Sequence, residues 1–264
     1  MGTVPDVMTL LYAIIGSAVG SFLNVCIDRL PARQSLIQPA SHCPSCQRSL
    51  NPLELVPVIS YLAVRGRCRT CGAPIPRRVL VVEALTALIF GYLWTLYGPG
   101  WALIVASVYT GILIVIFFID LERRLVLNRV TYPTMALALL LSGARALPGD
   151  PMGLASVTPN PVSALLGGLI GFAVIFLPAW LSKGGIGGGD VKLGALMGLV
   201  LGFPAVLAGL FWGIVAGGVG AVILLVTRVR GRRDAVPYAP FLAAGAWIAL
   251  LYGNQMMTWY LSRL

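Results

Sequence analysis

Trp101-Ala102-Leu103-Ile104-Val105-Ala106-Ser107-Val108-Tyr109-Thr110-Gly111-Ile112-Leu113-Ile114-Val115-Ile116-Phe117-Phe118-Ile119-Asp120 holds nineteen consecutive uncharged residues and then an acid. As a helix that run rises about 28 Å, close to the roughly 30 Å of hydrocarbon in a bilayer. Further apolar runs of comparable length occupy 7–26, 79–97, 130–147, 162–181, 205–227 and 238–260, and a shorter one occupies 191–203. The composition agrees, because 58% hydrophobic and 11% charged residues, with a mean hydropathy of +0.89, cannot be divided into a core and a wet surface. These runs predict an all-α polytopic membrane protein of about eight transmembrane helices. The run 191–203 covers only about 20 Å, so its helix is expected to begin below the headgroups, fed by the glycine-rich stretch before it.

Of the 19 Lys and Arg, all but Arg145 and Arg263 fall in four segments, 28–78, 121–129, 182–192 and 228–233. Cations in short loops are kept on the cytoplasmic side. An eight-helix path with both termini outside, periplasmic or extracellular, puts all four segments in the cytoplasm, a parity that seven or nine spans would fail. The net charge of +10 then follows from topology and anionic headgroups and needs no nucleic-acid partner. The run Val7 to Cys26 has no preceding cluster of cations and no small-residue cleavage pattern after it, so it reads as a retained helix. Neither low complexity nor a repeat of fixed period is visible.

The polar segment 28–78 carries four of the five cysteines, as Cys43-Pro44-Ser45-Cys46 and Cys68-Arg69-Thr70-Cys71. Two Cys-x-x-Cys pairs at this separation can present four thiolates to one tetrahedral Zn2+. A reducing cytoplasm disfavours disulfides, which leaves paired redox thiols as the other use. With all four positions taken by sulfur the metal has no place for substrate, so its work is to fold a loop too small to bury a core. The expected organisation is a first transmembrane helix over 1–27, a small cytoplasmic zinc-binding loop domain over 28–78, and a multi-helix membrane core over 79–264. His42 beside Cys43 is read as a bystander, and Cys26 as packing.

Asp120 closes one apolar run, and Asp190 stands in Lys183-Gly184-Gly185-Ile186-Gly187-Gly188-Gly189-Asp190-Val191-Lys192. The topology puts both at the cytoplasmic edge of the membrane, where an acid is costly. Two carboxylates there suit an intramembrane aspartic peptidase. One, ionised, takes a proton from water; the other, protonated, polarises the scissile carbonyl, and proximity itself separates their titrations. Asp190 starts a helix and is expected as the anion. Asp120 follows a helix and is expected as the acid, that helix running on toward Leu127 because no breaker precedes Pro133.

Gly187, Gly188 and Gly189, with Gly184 and Gly185, remove side chains where an extended substrate must approach a backbone, and they permit irregular chain lining a wet cavity. The stretch meets neither Gly-x-Gly-x-x-Gly nor a Walker pattern, so a phosphate-binding loop is not expected. Charge and spacing alone leave a second reading open, in which the glycines serve close helix packing and each Asp caps a helix or pairs with an Arg.

Gly20-Ser21-Phe22-Leu23-Asn24-Val25 with Arg29-Leu30-Pro31, Cys43-Pro44-x-Cys46, Pro57-x-x-Ser60-Tyr61-Leu62, Arg65-Gly66-Arg67-Cys68-Arg69-x-Cys71, Val82-Glu83, Ile119-Asp120 and Gly187-Gly188-Gly189-Asp190-Val191-Lys192-Leu193 follow in an order that resembles the bacterial type IV prepilin peptidases. The likeness runs from about residue 20 to 200 and includes the family's Gly-x-Gly-Asp signature at 187–190. It implies an inner-membrane aspartic endopeptidase that removes the short basic leader of type IV prepilins and type II secretion pseudopilins. In many relatives the new N-terminus is then methylated from S-adenosylmethionine. Carried over, Asp120 and Asp190 take the catalytic roles and Cys43, Cys46, Cys68 and Cys71 the zinc-binding ones; no residue is carried over for the methyl donor. The chain departs from the family pattern at Leu127-Asn128, where relatives often have Pro-Asp, and at Glu122, which replaces a frequent second Asp.

Glu83 is expected near a helix N-terminus, complementing its dipole and pairing with a guanidinium, with a substrate contact as the other use. Glu54 is expected to hold either the zinc fold or the substrate leader. Segment 28–78 has eight Arg against Asp28 and Glu54, so basic leaders are not expected to be recruited by charge; packing of the substrate's hydrophobic helix within the lipid bilayer supplies the affinity. Two other classes compete. An ion-coupled transporter would bind protons or cations at Asp120 and Asp190, but the chain lacks matched broken segments in two halves. A zinc-stabilised scaffold would leave the acids unused.

Overall fold

A computed structural model describes residues 6–150, 152–181, 187–227 and 238–263. Among these the protein is helical, with eight helices of 14 residues or more and only isolated β-bridges. Five are long and apolar enough to cross a membrane on their own: Val7–Arg29, Arg77–Tyr97, Trp101–Arg123, Leu154–Leu181 and Ala205–Ile223. The chain is a multi-pass membrane protein. It divides into two compact units, Met1–Pro99 and Gly100–Leu264.

The first unit contains α1 (Val7–Arg29), the short α2 (Ile59–Ala63) and α3 (Arg77–Tyr97). The Asp6 carboxylate opens α1 by accepting the Thr9 amide at 2.7 Å. α1 and α3 pack antiparallel over most of their length, because glycines four residues apart on α1 let the backbones touch. A Cβ on Gly16 would fall 2.6 Å from the Phe90 Cβ, and one on Gly20 would fall 2.8 Å from the Glu83 Cα. Above this seam Tyr12 stacks on Phe90 at 5.5 Å; below it the Asn24 side-chain amide donates to the Val79 carbonyl at 3.1 Å, and Arg78 pairs with both oxygens of Asp28 at 2.8 Å.

The second unit contains α4 (Trp101–Arg123), α5 (Asn128–Arg145), α6 (Pro161–Leu181), α7 (Gly188–Leu201), α8 (Ala205–Val226) and α9 (Ala239–Leu261), which run alternately in opposite directions. α4 forms the core. It is buried from Leu103 to Asp120 along most of its faces, and the Trp247 indole of α9 donates to its Thr110 hydroxyl at 3.2 Å. α6 and α7 meet through Gly167 and Gly171 on one side and Gly194 and Gly198 on the other. A Cβ on Gly194 would lie 2.5 Å from the Gly171 carbonyl oxygen, and one on Gly198 would run into the Gly167 carbonyl. Gly209 and Gly213 of α8 face Gly245 of α9 in the same manner. Without a hydrophobic drive between helices in lipid, these small-residue seams supply the packing that fixes the bundle.

Two boundaries differ from expectation. α4 ends at Arg123, not near Leu127, because Arg124 adopts a left-handed conformation (φ 54°, ψ 46°) and its amide returns to the Asp120 carbonyl at 2.8 Å. α5 then starts at Asn128 and carries Pro133 within it. That proline is tolerated in the second turn, where it forfeits a single backbone bond near the helix start.

Candidate active site

Asp120 lies in the last turn of α4 and is 5% exposed. The Ala239 amide at the start of α9 donates to its carboxylate, the Arg124 guanidinium exerts a favourable field on it, and its Oδ2 is buried with no hydrogen-bond partner among the described residues. Asp190 is the third residue of α7, half-buried in the first helical turn. Its amide donates to the Gly187 carbonyl at 3.0 Å and its carboxylate accepts the Gly187 amide, a reciprocal cap of the kind that acids make at this helix position. The last turn of α4 and the first turn of α7 thus place the two carboxylates at one end of the second unit, where α9 also begins after Tyr238.

The N-termini of α5, α7 and α9 therefore gather around the end of α4. The Ala239 amide serves Asp120 and the Gly187 amide serves Asp190, and the dipoles of α9 and α7 favour negative charge at their starts. Lys192, one position beyond Val191, does not turn back to Asp190: its ammonium donates to Asn128 Oδ1 at 2.9 Å and sits 5.6 Å from the centre of the Tyr132 ring. The glycines before Asp190 divide in role. Gly188 faces open space, whereas a Cβ on Gly189 would lie 2.9 Å from Val126, so Gly189 is demanded by packing. Lys183, Gly184, Gly185 and Ile186 lie outside the described residues, as do Arg228, Arg230, Arg232 and Arg233.

The four cysteines of the first unit come together. All their sulfurs lie within 4.8 Å of one another, with Cys43 to Cys71 at 3.8 Å and Cys46 to Cys68 at 4.0 Å. A zinc ion with four sulfurs at about 2.3 Å requires sulfur separations of about 3.8 Å, so the set fits the metal. Each pair sits in the same backbone turn. The Gln47 amide returns to the Cys43 carbonyl and the Gly72 amide to Cys68, both at 2.9 Å, while Cys43 and Cys68 donate to Arg48 and Ala73. Gln47 and Gly72 both have positive φ, at 57° and 69°. A local structural duplication is thus present that the sequence alone did not reveal. Amides of Cys71 and Thr70 pull the Cys68 thiol down to about 6, toward the thiolate that binds metal. When zinc is supplied, Cys46→Ser is expected to retain less of it than wild type by elemental analysis of the purified protein, because three sulfurs leave the tetrahedron open.

Glu54 serves the cysteine fold. Arg48 grips it through two bonds of 2.8 and 2.9 Å, the Asn51 amide adds a third at 2.9 Å, and the guanidinium holds the carboxyl down at about 2. A carboxyl depressed in the fold contributes above the ordinary carboxylate range and loses that contribution as pH falls toward about 2. At neutral pH, Glu54→Gln is expected to hasten zinc loss to a chelator; an unchanged rate would show that the brace is idle.

Residues 14–97 match the Bacterial Peptidase A24 N-terminal domain, and residues 107–222 match the Type IV leader peptidase family. The prepilin leader peptidase/N-methyltransferase of Bacillus subtilis is 33% identical over 251 residues, covering 94% of this chain and 96% of the relative. That of Aeromonas hydrophila is 33% identical over 275 residues, with 92% and 90% covered, and that of Pseudomonas aeruginosa is 30% identical over 285 residues, with 97% and 94% covered. The chain belongs to the type IV leader peptidase family. No solved structure gives a significant match.

Within this member of the type IV leader peptidase family, the apolar run 238–260 matches α9 closely, but nothing in the sequence signals that the start of that helix meets Asp120. Tyr238 and Ala239 carry no formal charge and lie far along the chain, and only the Pro240 that follows signals a helix opening. Glu83 also differs from expectation. It sits in the second turn of α3, 4% exposed against Gly20, and accepts the Val58 amide at 2.7 Å. Val58 itself is a β-branched residue at φ 62°, a costly conformation. The Glu83 carboxylate helps to hold it. His42 engages the Ala40 carbonyl at 2.9 Å through Nδ1, and Cys26 is buried in α1.

Proposed function

We propose that the chain is a membrane aspartic endopeptidase that removes the basic leader from type IV prepilins or pseudopilins, with Asp120 and Asp190 as its catalytic pair. The observation that carries this reading is that both acids stand at one end of the second unit, Asp120 in the last turn of α4 and Asp190 in the first turn of α7. Asp190, capped by its own helix start, suits the ionised role and draws a proton from water. Asp120 Oδ2, buried and unpartnered, suits the protonated role and polarises the scissile carbonyl. The attacking water adds to that carbonyl, the shared proton passes to the leaving amine, and the pair is regenerated. Gly188, open on its outer side, leaves room for an extended substrate backbone.

The basic segments support an orientation with the acids and the cysteine loop toward the cytoplasm and both termini outside, in the bacterial inner membrane. Residues 28–78 are read as a zinc-binding loop domain in which Cys43, Cys46, Cys68 and Cys71 hold the ion; bound zinc would supply cross-linking of the two turns. The relatives' names also carry N-methyltransferase, and methylation of the freed amine from S-adenosylmethionine is part of the proposal. Among the described residues a cavity of about 230 Å³ beside Arg145 is lined by no carboxylate for a ribose, so it does not fit the donor, and no step is routed through it. The test is incubation of the purified protein with a prepilin, read as loss of the leader by mass. Intact precursor after prolonged incubation would count against the proposal.

A further inference from the structure

At the end of the second unit opposite the two aspartates lies a cavity of about 230 Å³, walled by the C-terminal ends of α5 and α7, the N-terminal ends of α6 and α8, and the later turns of α9. It is smaller than the roughly 300 Å³ at which sites for drug-sized ligands begin, and suits a headgroup-sized molecule. Arg145 is the one charged residue in its wall. Among the described residues no Asp or Glu lines it, and Asp150 in the adjoining loop is engaged by the Leu154 and Ala155 amides at 3.0 and 2.9 Å. Arg145 is half-buried and makes no ion pair among the described residues. One of its terminal nitrogens donates to the Thr158 carbonyl, which orients the guanidinium plane and leaves further N–H groups to the cavity.

The Ser163 and Thr158 hydroxyls of the wall are spent on the Phe203 and Leu154 carbonyls, and the other polar side chains can offer donors. Asn160 caps α6 through its oxygen, accepting the Ser163 amide at 2.8 Å, which leaves its NH2 unused. The Asn254 side-chain amide and the Ser156 hydroxyl make no hydrogen bond among the described residues. The starts of α6 and α8 add their dipoles with the same sign. The location adds weight, since cations are depleted from the side of the membrane away from the cytoplasm, and Arg145 is one of only two outside the four basic segments. An arginine retained half-buried at a membrane edge demands a counter-charge.

We propose that this cavity binds a phosphate-bearing anion, gripped by the Arg145 fork, supplied either by an anionic phospholipid headgroup or by free phosphate. A planar guanidinium matches two phosphate oxygens at once, and the Asn160, Asn254 and Ser156 groups complete the shell. The site stands apart from leader cleavage.

The test uses the full protein in detergent and in nanodiscs. Retention of phosphatidylglycerol is read by native mass spectrometry, and thermal protection is read with added inorganic phosphate and with phosphatidylglycerol. Wild-type protein is expected to bind at least one of them, and Arg145→Gln is expected to weaken that binding about tenfold or more, as loss of a charge-assisted bond predicts. Asn254→Ala, which keeps the charge, is expected to weaken it less and guards against a folding defect. Leader cleavage by both variants stays near wild type, so a failure here is separable from a failure of the peptidase reading. Protection by phosphatidylglycerol alone identifies a headgroup as the source, and protection by inorganic phosphate identifies the free ion. Absence of binding to either, or equal binding by wild type and Arg145→Gln, overturns the proposal.

Discussion

Asp120→Asn and Asp190→Asn are each expected to slow leader removal by about 10²–10⁴-fold, the usual worth of a positioned acid or base. Asparagine keeps the shape of the side chain and still offers an oxygen to the Ala239 amide or to the Gly187 amide, so both variants should fold. What each loses is the capacity to hold or release a proton. The double variant should be scarcely slower than either single one, because the two carboxylates work as one unit and removing half disables the whole. Glu122→Gln, an exposed acid two residues beyond Asp120, serves as the control and should leave cleavage near wild type. The decisive measurement is single-turnover cleavage of a prepilin; wild-type rates in either single variant would remove these residues from the mechanism.

Gly198→Ala is expected to destabilise the protein and to suppress cleavage, against the local preference of a helix. In an open helix interior the change gains about 1 kcal/mol. Here the new methyl would meet the Gly167 carbonyl, a backbone group of the facing helix that has nowhere to go. Overpacking of this kind costs about 1–3 kcal/mol, so the net sign reverses. The displaced element is α7, which carries Asp190 at its start, so the damage reaches the site through the helix axis. Gly218→Ala and Gly143→Ala meet no atom within 4 Å and should be neutral or slightly stabilising. Thermal unfolding of the three variants, beside their cleavage rates, separates the seam from a general intolerance of alanine.

That Asp120 and Asp190 stand at one end of the unit was legible because each borders an apolar run, and the gathering of the four cysteines because their spacing suits one tetrahedral site. The glycine seams were not. Gly167 and Gly198, or Gly16 and Phe90, become partners only when helices pair, and nothing local distinguishes a glycine that touches a carbonyl from Gly218, which faces open space. The end of α4 was misplaced because an arginine, Arg124, takes the left-handed turn that glycine ordinarily makes. The contribution of Ala239 is made by a backbone amide, which every residue but proline possesses, so its side chain gave no sign of it. Glu54 was narrowed from two uses to one by the bidentate grip of Arg48.

α7 has 14 residues and so spans about 21 Å, roughly two thirds of a bilayer's hydrocarbon thickness. On the proposed orientation the missing third would leave Asp190, at the start of α7, below the headgroups and open to water from the cytoplasmic side. Ionising that residue would then not carry the full electrostatic work of charging an ion within oil, and the water that the proposed hydrolysis consumes would arrive by the same route. Lengthening α7 by one turn would raise the acid toward the headgroups and thin the low-dielectric wall around it, so on this reading the short helix governs both how water reaches the carboxylate and the permittivity it meets.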